Sequence, residues 1–356
     1  MKKTRRILAL LIVVVLVSIG LAACNGNTTP TDPTQETQPA TQPQETAPAD
    51  DSDPEPPTEP DRVFQIGIIN FLEHPALSAA YQGFLSVFEE HGINAVFDYQ
   101  NAQRDAATLA TIADRFVNNN VDLVLAIATP SVQAMHTATY TIPIVGTAIT
   151  TYVGAGVVYS NEAPGTNVTG ASDMNPIEAQ IDMIFDFVPH LQTLGIIYSS
   201  NETNAVYQAG IAIAYAESLG LTVEVGTVTA TAEVQQNALS IANRVDAIWI
   251  PTDNTHADAM PIIGQVSIDT GVPVFPGEEN MVMGGGIATL SIDYFELGRQ
   301  SGLLAIEILL HSGNPATMPI VFGKDQNLEY VVNGFMVEEL DITVPERFMG
   351  SIEFPE

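Results

Sequence analysis

A single cysteine in 356 residues, Cys24, rules out an intramolecular disulfide, so the folded part must be held by core packing. Cations are scarce as well: 11 Lys and Arg stand against 42 Asp and Glu, a formal charge of −31. Such a field repels phosphate backbones and anionic headgroups, which excludes nucleic acid and direct lipid-surface binding. The usual catalytic signatures are missing. There is no Cys-x-x-Cys or His-Glu-x-x-His for a metal, and Gly284-Gly285-Gly286 lacks the spacing of a dinucleotide-binding turn. No Gly-x-Ser-x-Gly elbow occurs. The chain therefore reads as a protein without metal or cofactor, and not an enzyme. No apolar run reaches the roughly 20 residues of a spanning helix.

The longest apolar run, 7–17, follows Lys2, Lys3, Arg5 and Arg6 and precedes Leu21-Ala22-Ala23-Cys24. This is the pattern of an export signal over residues 1–24. Leu-Ala-Ala-Cys resembles a bacterial lipobox, which implies that Cys24 carries a lipid anchor and that the folded part lies outside the cytoplasmic membrane. Loss of the signal removes four cations and no acid, leaving 7 against 42 and a net charge of −35. Residues 25–61 are Thr, Pro, Gln, Asp and Glu with almost no large apolar side chain, so they are expected to form a disordered, extended stalk.

Beyond residue 62 the chain repeats itself. Ile66-Gly67-Ile68-Ile69 returns as Leu194-Gly195-Ile196-Ile197 and Gly92 as Gly220, both at an offset of 128. Val121-Asp122-Leu123-Val124-Leu125 returns as Val245-Asp246-Ala247-Ile248-Trp249 at 124, and Ile142-Pro143-Ile144-Val145 as Val272-Pro273-Val274-Phe275 at 130. A solenoid repeats every 20–50 residues or so; this period is the size of a domain. Apolar runs at 64–70, 95–99, 123–128, 143–147, 194–198, 222–228, 247–251, 273–275 and 286–290 read as buried parallel strands. Helical patterns alternate with them at 75–91, 105–118, 131–139, 176–187, 205–219, 232–243, 258–270 and 294–311. The expected fold is α/β: two doubly wound parallel-sheet lobes with a cleft between them.

In open parallel sheets ligands bind beyond the carboxyl ends of the strands. That rule selects the exits Asn70-Phe71-Leu72-Glu73-His74-Pro75, Ala128-Thr129-Pro130-Ser131, Thr147-Ala148, Tyr198-Ser199-Ser200-Asn201, Pro251-Thr252-Asp253-Asn254 and Gly277-Glu278-Glu279-Asn280. Rich in hydroxyl, amide and carboxylate groups, they suit a small polar ligand.

The same exits resemble the lipoprotein substrate-binding components of ABC importers, in the branch associated with tryptophan and tyrosine uptake. The matching strings are Phe71-Leu72-Glu73-His74-Pro75-Ala76-Leu77, Asp98-Tyr99-Gln100-Asn101-Ala102-Gln103, Ala126-Ile127-Ala128-Thr129-Pro130, Gly154-Ala155-Gly156, Asn167-Val168-Thr169-Gly170, Val245-Asp246-Ala247, Pro251-Thr252-Asp253-Asn254 and Ile292-Asp293-Tyr294-Phe295-Glu296-Leu297-Gly298-Arg299-Gln300. The resemblance implies a type I periplasmic-binding-protein clamshell whose lobes are joined by a three-segment hinge near 172–176, 290–293 and 316–319. Lobe one is then 62–172 plus 292–316, lobe two 173–291 plus 317–345, with 346–356 a C-terminal tail. It also implies a monomer that delivers its solute to an ABC permease and its ATPase. The family commonly has Thr-Asp-Pro where this chain has Thr150-Thr151-Tyr152, which points to an altered pocket. Another solute, such as a branched-chain amino acid or nucleoside, and a membrane-tethered sensory role are the alternatives.

A zwitterionic amino acid needs acceptors for its ammonium, and Asp253 and Glu278 are the candidates; the competing role for Asp253 is a helix cap. Thr129 and Ser131 open a helix suited to a carboxylate, and Thr147 and Thr252 add hydroxyls. Phe71, Tyr198 and Tyr294 are candidate aromatic walls, and Glu73, Asn201 and Asp293 complete the expected ligand-binding set. His74 is expected to support rather than touch the ligand. Trp249 reads as core. Amino-acid racemases of this shape need two cysteines across the cleft, which the folded part does not have.

Overall fold

A computed structural model describes residues 62–322 and 328–355. The expected export signal, the stalk and the Cys24 lipid site lie outside them. Lobe one opens with β1 (Phe64–Asn70), α1 (Pro75–Glu90), β2 (Ala95–Asn101), α2 (Ala106–Asn118), β3 (Leu123–Ile127), α3 (Thr129–Ala138), β4 (Ile144–Ile149) and β5 (Val168–Ser172). Lobe two follows with α4 (Ile177–Phe187), β6 (Thr193–Ser199), α5 (Thr203–Ser218), β7 (Thr222–Val228), α6 (Thr231–Ala242), β8 (Ala247–Ile250), α7 (Asn254–Asp258), α8 (Met260–Thr270), β9 (Val274–Pro276), α9 (Glu279–Met283) and β10 (Ala288–Ser291). The chain returns to lobe one for α10 (Tyr294–His311) and β11 (Val321–Phe322). It ends in lobe two with β12 (Glu329–Asn333), α11 (Gly334–Glu339) and β13 (Ile352–Glu353).

The repeat is realised in strand order: β2-β1-β3-β4 runs through lobe one and β7-β6-β8-β9 through lobe two, all parallel. Every residue of β3 and of β8 is buried, as strands covered on both faces require. Gly67 and Gly195, 128 residues apart, have one job. A Cβ on the first would lie 2.7 Å from Phe116 of α2, and on the second 2.6 Å from Ile241 of α6, so each lets a helix settle onto the sheet. Asp122 and Asp246 also match. Asp122 accepts from the Gln65 amide, and Asp246 from those of Gln192 and Thr193, tying the entry of each central strand to its neighbour.

α10 packs along α1 and over β4 and β5. Its contact with α1 is backbone on backbone, because Gly83 faces the Phe295 carbonyl and Gly298 the Ala80 carbonyl.

Three expectations are corrected. β11 pairs with β5, and Met318 and Ile320 also bond within lobe one, so the chain does not cross at 316/317. Residues 346–356 are no tail: Phe348 is fully buried in the lobe-two core, and β13 pairs with β12. Lobe two is also not purely parallel, since β10 and β12 run antiparallel beside it. The segments at 172–176 and 290–293 are tied together, with Asn175 Oδ1 accepting from Ile292 N at 3.0 Å.

Candidate functional site

The carboxyl ends of β3, β4 and β5 meet those of β8 and β9 around a small cavity, bordered by Thr129, Ala148, Asp173, Asp253, Glu278 and Tyr294 together with Leu77 and Met281. Two non-glycine residues at these exits sit in left-handed backbone: Ala128 at φ 74° and Ala148 at φ 56°. Such strain costs about 1–3 kcal/mol per residue and collects where function holds it in place. At Ala148 it coincides with a register shift between β4 and β5. Larger cavities of about 460 and 500 Å³ lie elsewhere on lobe one and lobe two. The interlobe space is set apart by its chemistry.

One side of the cavity is acidic. Asp173, in the first crossing, is buried with its Oδ2 3.2 Å from the Tyr294 hydroxyl and its Oδ1 without a partner among the described residues. Burial pushes its carboxyl up to about 6, against the lowering effect of the nearby Thr150 hydroxyl and the hydrogen bond from Tyr294, and the nearby Glu278 charge adds to the rise. Glu278 accepts from Asn280 N at 2.8 Å and Met281 N at 2.7 Å, with His74 Nε2 at 3.9 Å across the cleft.

The other side offers donors. Thr129 opens α3, and its Oγ1 is buried without a partner among the described residues; Ser131 Oγ and Thr147 Oγ1 share that condition. Pro130 has no N–H and the Ser131 amide is engaged by Ala128 O, so the first turn presents chiefly Thr129. Buried polar groups are nearly always paired, and Thr129 Oγ1, at the cavity itself, is an exception that a polar ligand would resolve.

The lobes are closed on one another. Arg104 of lobe one reaches Asp258 Oδ2 at 2.6 Å and Thr231 Oγ1 at 3.0 Å in lobe two, from a loop in which Gln103 and Arg104 both have positive φ. Gln208 Nε2 of α5 reaches Thr150 Oγ1 at 3.2 Å. The space left is about 30 Å³, enough for a water or two, whereas small-molecule pockets run to roughly 300–1,000 Å³.

Of the expected residues, Thr129, Thr252, Asp253, Glu278 and Tyr294 border the cavity, while Ser131 and Thr147 are buried without bordering it. Phe71 belongs to the lobe-one core and Tyr198 packs on the lobe-two core, so neither is a wall. Asn201 is exposed and donates to Thr229 O. Glu73 accepts from Tyr99 and Asn101 in a separate groove beside Arg104. Asp293 caps α10 through Phe295 N and Glu296 N.

Asp253 is chiefly a cap. Its Oδ1 accepts from His256 N and Ser199 Oγ and its Oδ2 from Ser199 N, with His256 Nδ1 at 2.9 Å from Oδ1. Burial raises its carboxyl, but His256 and these amides outweigh it and hold it below the usual range. Residues not anticipated are Asp173, Asn204 and Asn254 at the cavity, and Glu202, which binds Asn254 and Thr255 from beneath. Asp173 had a signal, as the acid of a hinge segment flanked by Ser172 and Asn175. The Thr150-Thr151-Tyr152 departure divides: Tyr152 is buried in the lobe-one core, Thr151 caps a turn at Gly154, and Thr150 faces Asp173 and Gln208.

Residues 65–352 match the family model for ABC transporter substrate binding proteins. The chain is 38% identical over 256 residues to a tyrosine-binding protein of Clostridioides difficile, spanning 71% of this chain and 74% of that protein. It superposes on a solved ABC domain in complex with L-Trp from Streptococcus pneumonia with a TM-score of 0.78 at 34% identity, covering 83% of this chain and all of that one. Against the ligand-free, open structure of a substrate-binding protein with adhesive properties from Clostridium difficile, also 34% identical, the TM-score is 0.66. That match covers 82% of this chain and 99% of the other.

Proposed function

The chain belongs to the ABC transporter substrate-binding protein family, with the type I periplasmic-binding-protein fold, and from that premise we propose that it captures an aromatic amino acid between its lobes for a permease. The observation that carries the reading is the polarity of the cleft. Asp173 stands ready for an ammonium, with the charge of Glu278, the cap of α9, beside it, Thr129 at the α3 N-terminus for a carboxylate, and Leu77, Met281 and Tyr294 for an aromatic side chain. An ammonium would pair the free Asp173 Oδ1 and relieve the cost of burying that charge.

Entry requires the lobes to part about the crossings, and closure about the ligand then shifts the population to the closed form. The closer match to the L-Trp complex than to the open relative supports reading this form as closed, with a cleft of about 30 Å³ that must widen to hold an amino acid. The tyrosine-binding relative and the L-Trp complex favour tyrosine or tryptophan over branched-chain amino acids or nucleosides. The test is calorimetric titration of the ligand-stripped chain with L-Trp, L-Tyr, L-Phe, L-Leu and adenosine. Saturable heat with an aromatic amino acid is expected; heat with Leu or adenosine alone would sink the assignment.

The anchored, extracytoplasmic placement belongs to the same reading and rests on Leu21-Ala22-Ala23-Cys24. Cys24→Ser should move the protein from the membrane fraction to the soluble one, and retention on membranes would point to an uncleaved anchor.

A further inference from the structure

Lobe one carries a second cavity at the opposite, amino ends of its strands, where Pro143 leads into β4 and Asn167 into β5. Its volume of about 460 Å³ is within the range of small-molecule sites. Two tyrosines stand on its walls largely in the open: Tyr140 is 74% exposed and Tyr159 81%. Neither is loose. The Tyr140 ring meets His136 edge-on at 5.8 Å, and the Tyr159 ring lies over Gly165, whose φ of 72° and missing Cβ leave it room.

The polar groups are neutral and partly unmet. Asn167 Nδ2 donates to Thr139 O at 3.1 Å and Ile142 O at 2.8 Å, while its Oδ1 is buried without a partner among the described residues. His136 Nδ1 is in the same condition. The Thr166 hydroxyl donates to Val157 O and accepts from Val168 N, so it is already engaged. Asn314 Oδ1 accepts from Ala316 N, which leaves its amide hydrogens for a ligand. Among the described residues, no carboxylate, lysine or arginine lines the space.

These features select among ligands. A zwitterion or anion would be buried here with no opposite charge to meet it, which is costly. A wholly apolar ligand would cover the Asn314 amide hydrogens without pairing them. A neutral polyhydroxylated ring fits what the cavity offers: hydroxyls that accept from the Asn314 amide, and C–H faces that lie flat on tyrosine rings. We propose that this cavity is a saccharide-binding site, separate from the interlobe cleft.

The test is saturation-transfer NMR on the full chain with cellobiose, maltose and N,N′-diacetylchitobiose as probes. At least one disaccharide should receive saturation and titrate to a plateau. Its affinity should fall at least about tenfold in a Tyr140→Ala, Tyr159→Ala double variant, since both rings are lost as stacking partners. Those side chains are exposed, so the thermal melt of the variant should match wild type. L-Trp added at saturation should not displace the sugar. No transfer to any of the three probes, binding that survives loss of both tyrosines, or displacement by L-Trp would each overturn the proposal.

Discussion

Asp173 is where stability and binding pull in opposite directions. Its carboxyl in the folded chain titrates near 6 against a usual 3.8, so folding favours the protonated form. Stability from this group is therefore complete below about pH 4 and is lost as the pH rises through 6, at a cost on the order of 3 kcal/mol. Asp173→Asn should raise the melting temperature of the ligand-free protein by about 5 °C at pH 8 and hardly at all at pH 4.5. The same variant should lower affinity for an aromatic amino acid at least about a hundredfold, as expected for a lost buried ammonium partner. In the wild type, affinity should be flat above pH 7 and fall about tenfold per unit below 6 as protons compete with the ligand. A titration series flat from pH 5 to 8 would take Asp173 out of the ammonium site. Asp253 behaves differently because it serves the fold: Asp253→Ala strands the Ser199 and His256 amides and should cost about 3–5 kcal/mol in urea unfolding. In the sequence Asp253 stood out as an acid just after an apolar strand, whereas Asp173 follows β5, whose small polar residues gave no strand signal. A cap and a ligand acceptor both want a carboxylate just after a strand, and what distinguishes them is whether local amides already engage it.

At the scale of elements the sequence was far more legible. The strand signals located β1 and β7 to the residue and the other repeated strands to within a few; β1 is buried at every residue but Gln65, whereas β7 is an edge strand marked by Val223, Val225 and Val228 between Thr and Glu. β5 escaped notice: Val168-Thr169-Gly170-Ala171-Ser172 is small and polar, and its burial depends on Tyr152 and α10 closing over it. β11 and β13 are two-residue strands that exist only through their partners. The most demanding contact between elements is that of α1 with α10. At Gly298 a Cβ would overlap the Ala80 carbonyl, and backbone cannot swing aside as a side chain can. Gly298→Ala should cost about 3 kcal/mol, measured by urea denaturation, whereas Gly210→Ala, in open space on α5, should be neutral or slightly stabilising. Equal effects of the two would mean that the helices are free to move apart.

For the whole molecule, closure rests on a few contacts across the cleft, and Arg104 supplies two of them from a strained loop. Its ion pair with Asp258 is half-exposed and worth no more than about 1 kcal/mol. Arg104→Ala should therefore quicken amino-acid dissociation by a factor of about 3–10 in stopped-flow measurements and leave association unchanged; an unaltered dissociation rate would show that Arg104 does not hold the lobes. The closing lobes are copies of one plan, yet they do not present the same face. The exit of β3 delivers Thr129, and its counterpart 124 residues on delivers Asp253; the exit of β4 delivers Ala148, and its counterpart 130 residues on delivers Glu278. Two identical halves would meet pole to like pole and could not tell one end of a guest from the other. By placing hydroxyls on one copy and acids on the other, this chain gives its duplicated architecture a heading, like a compass needle made from two bars of the same steel.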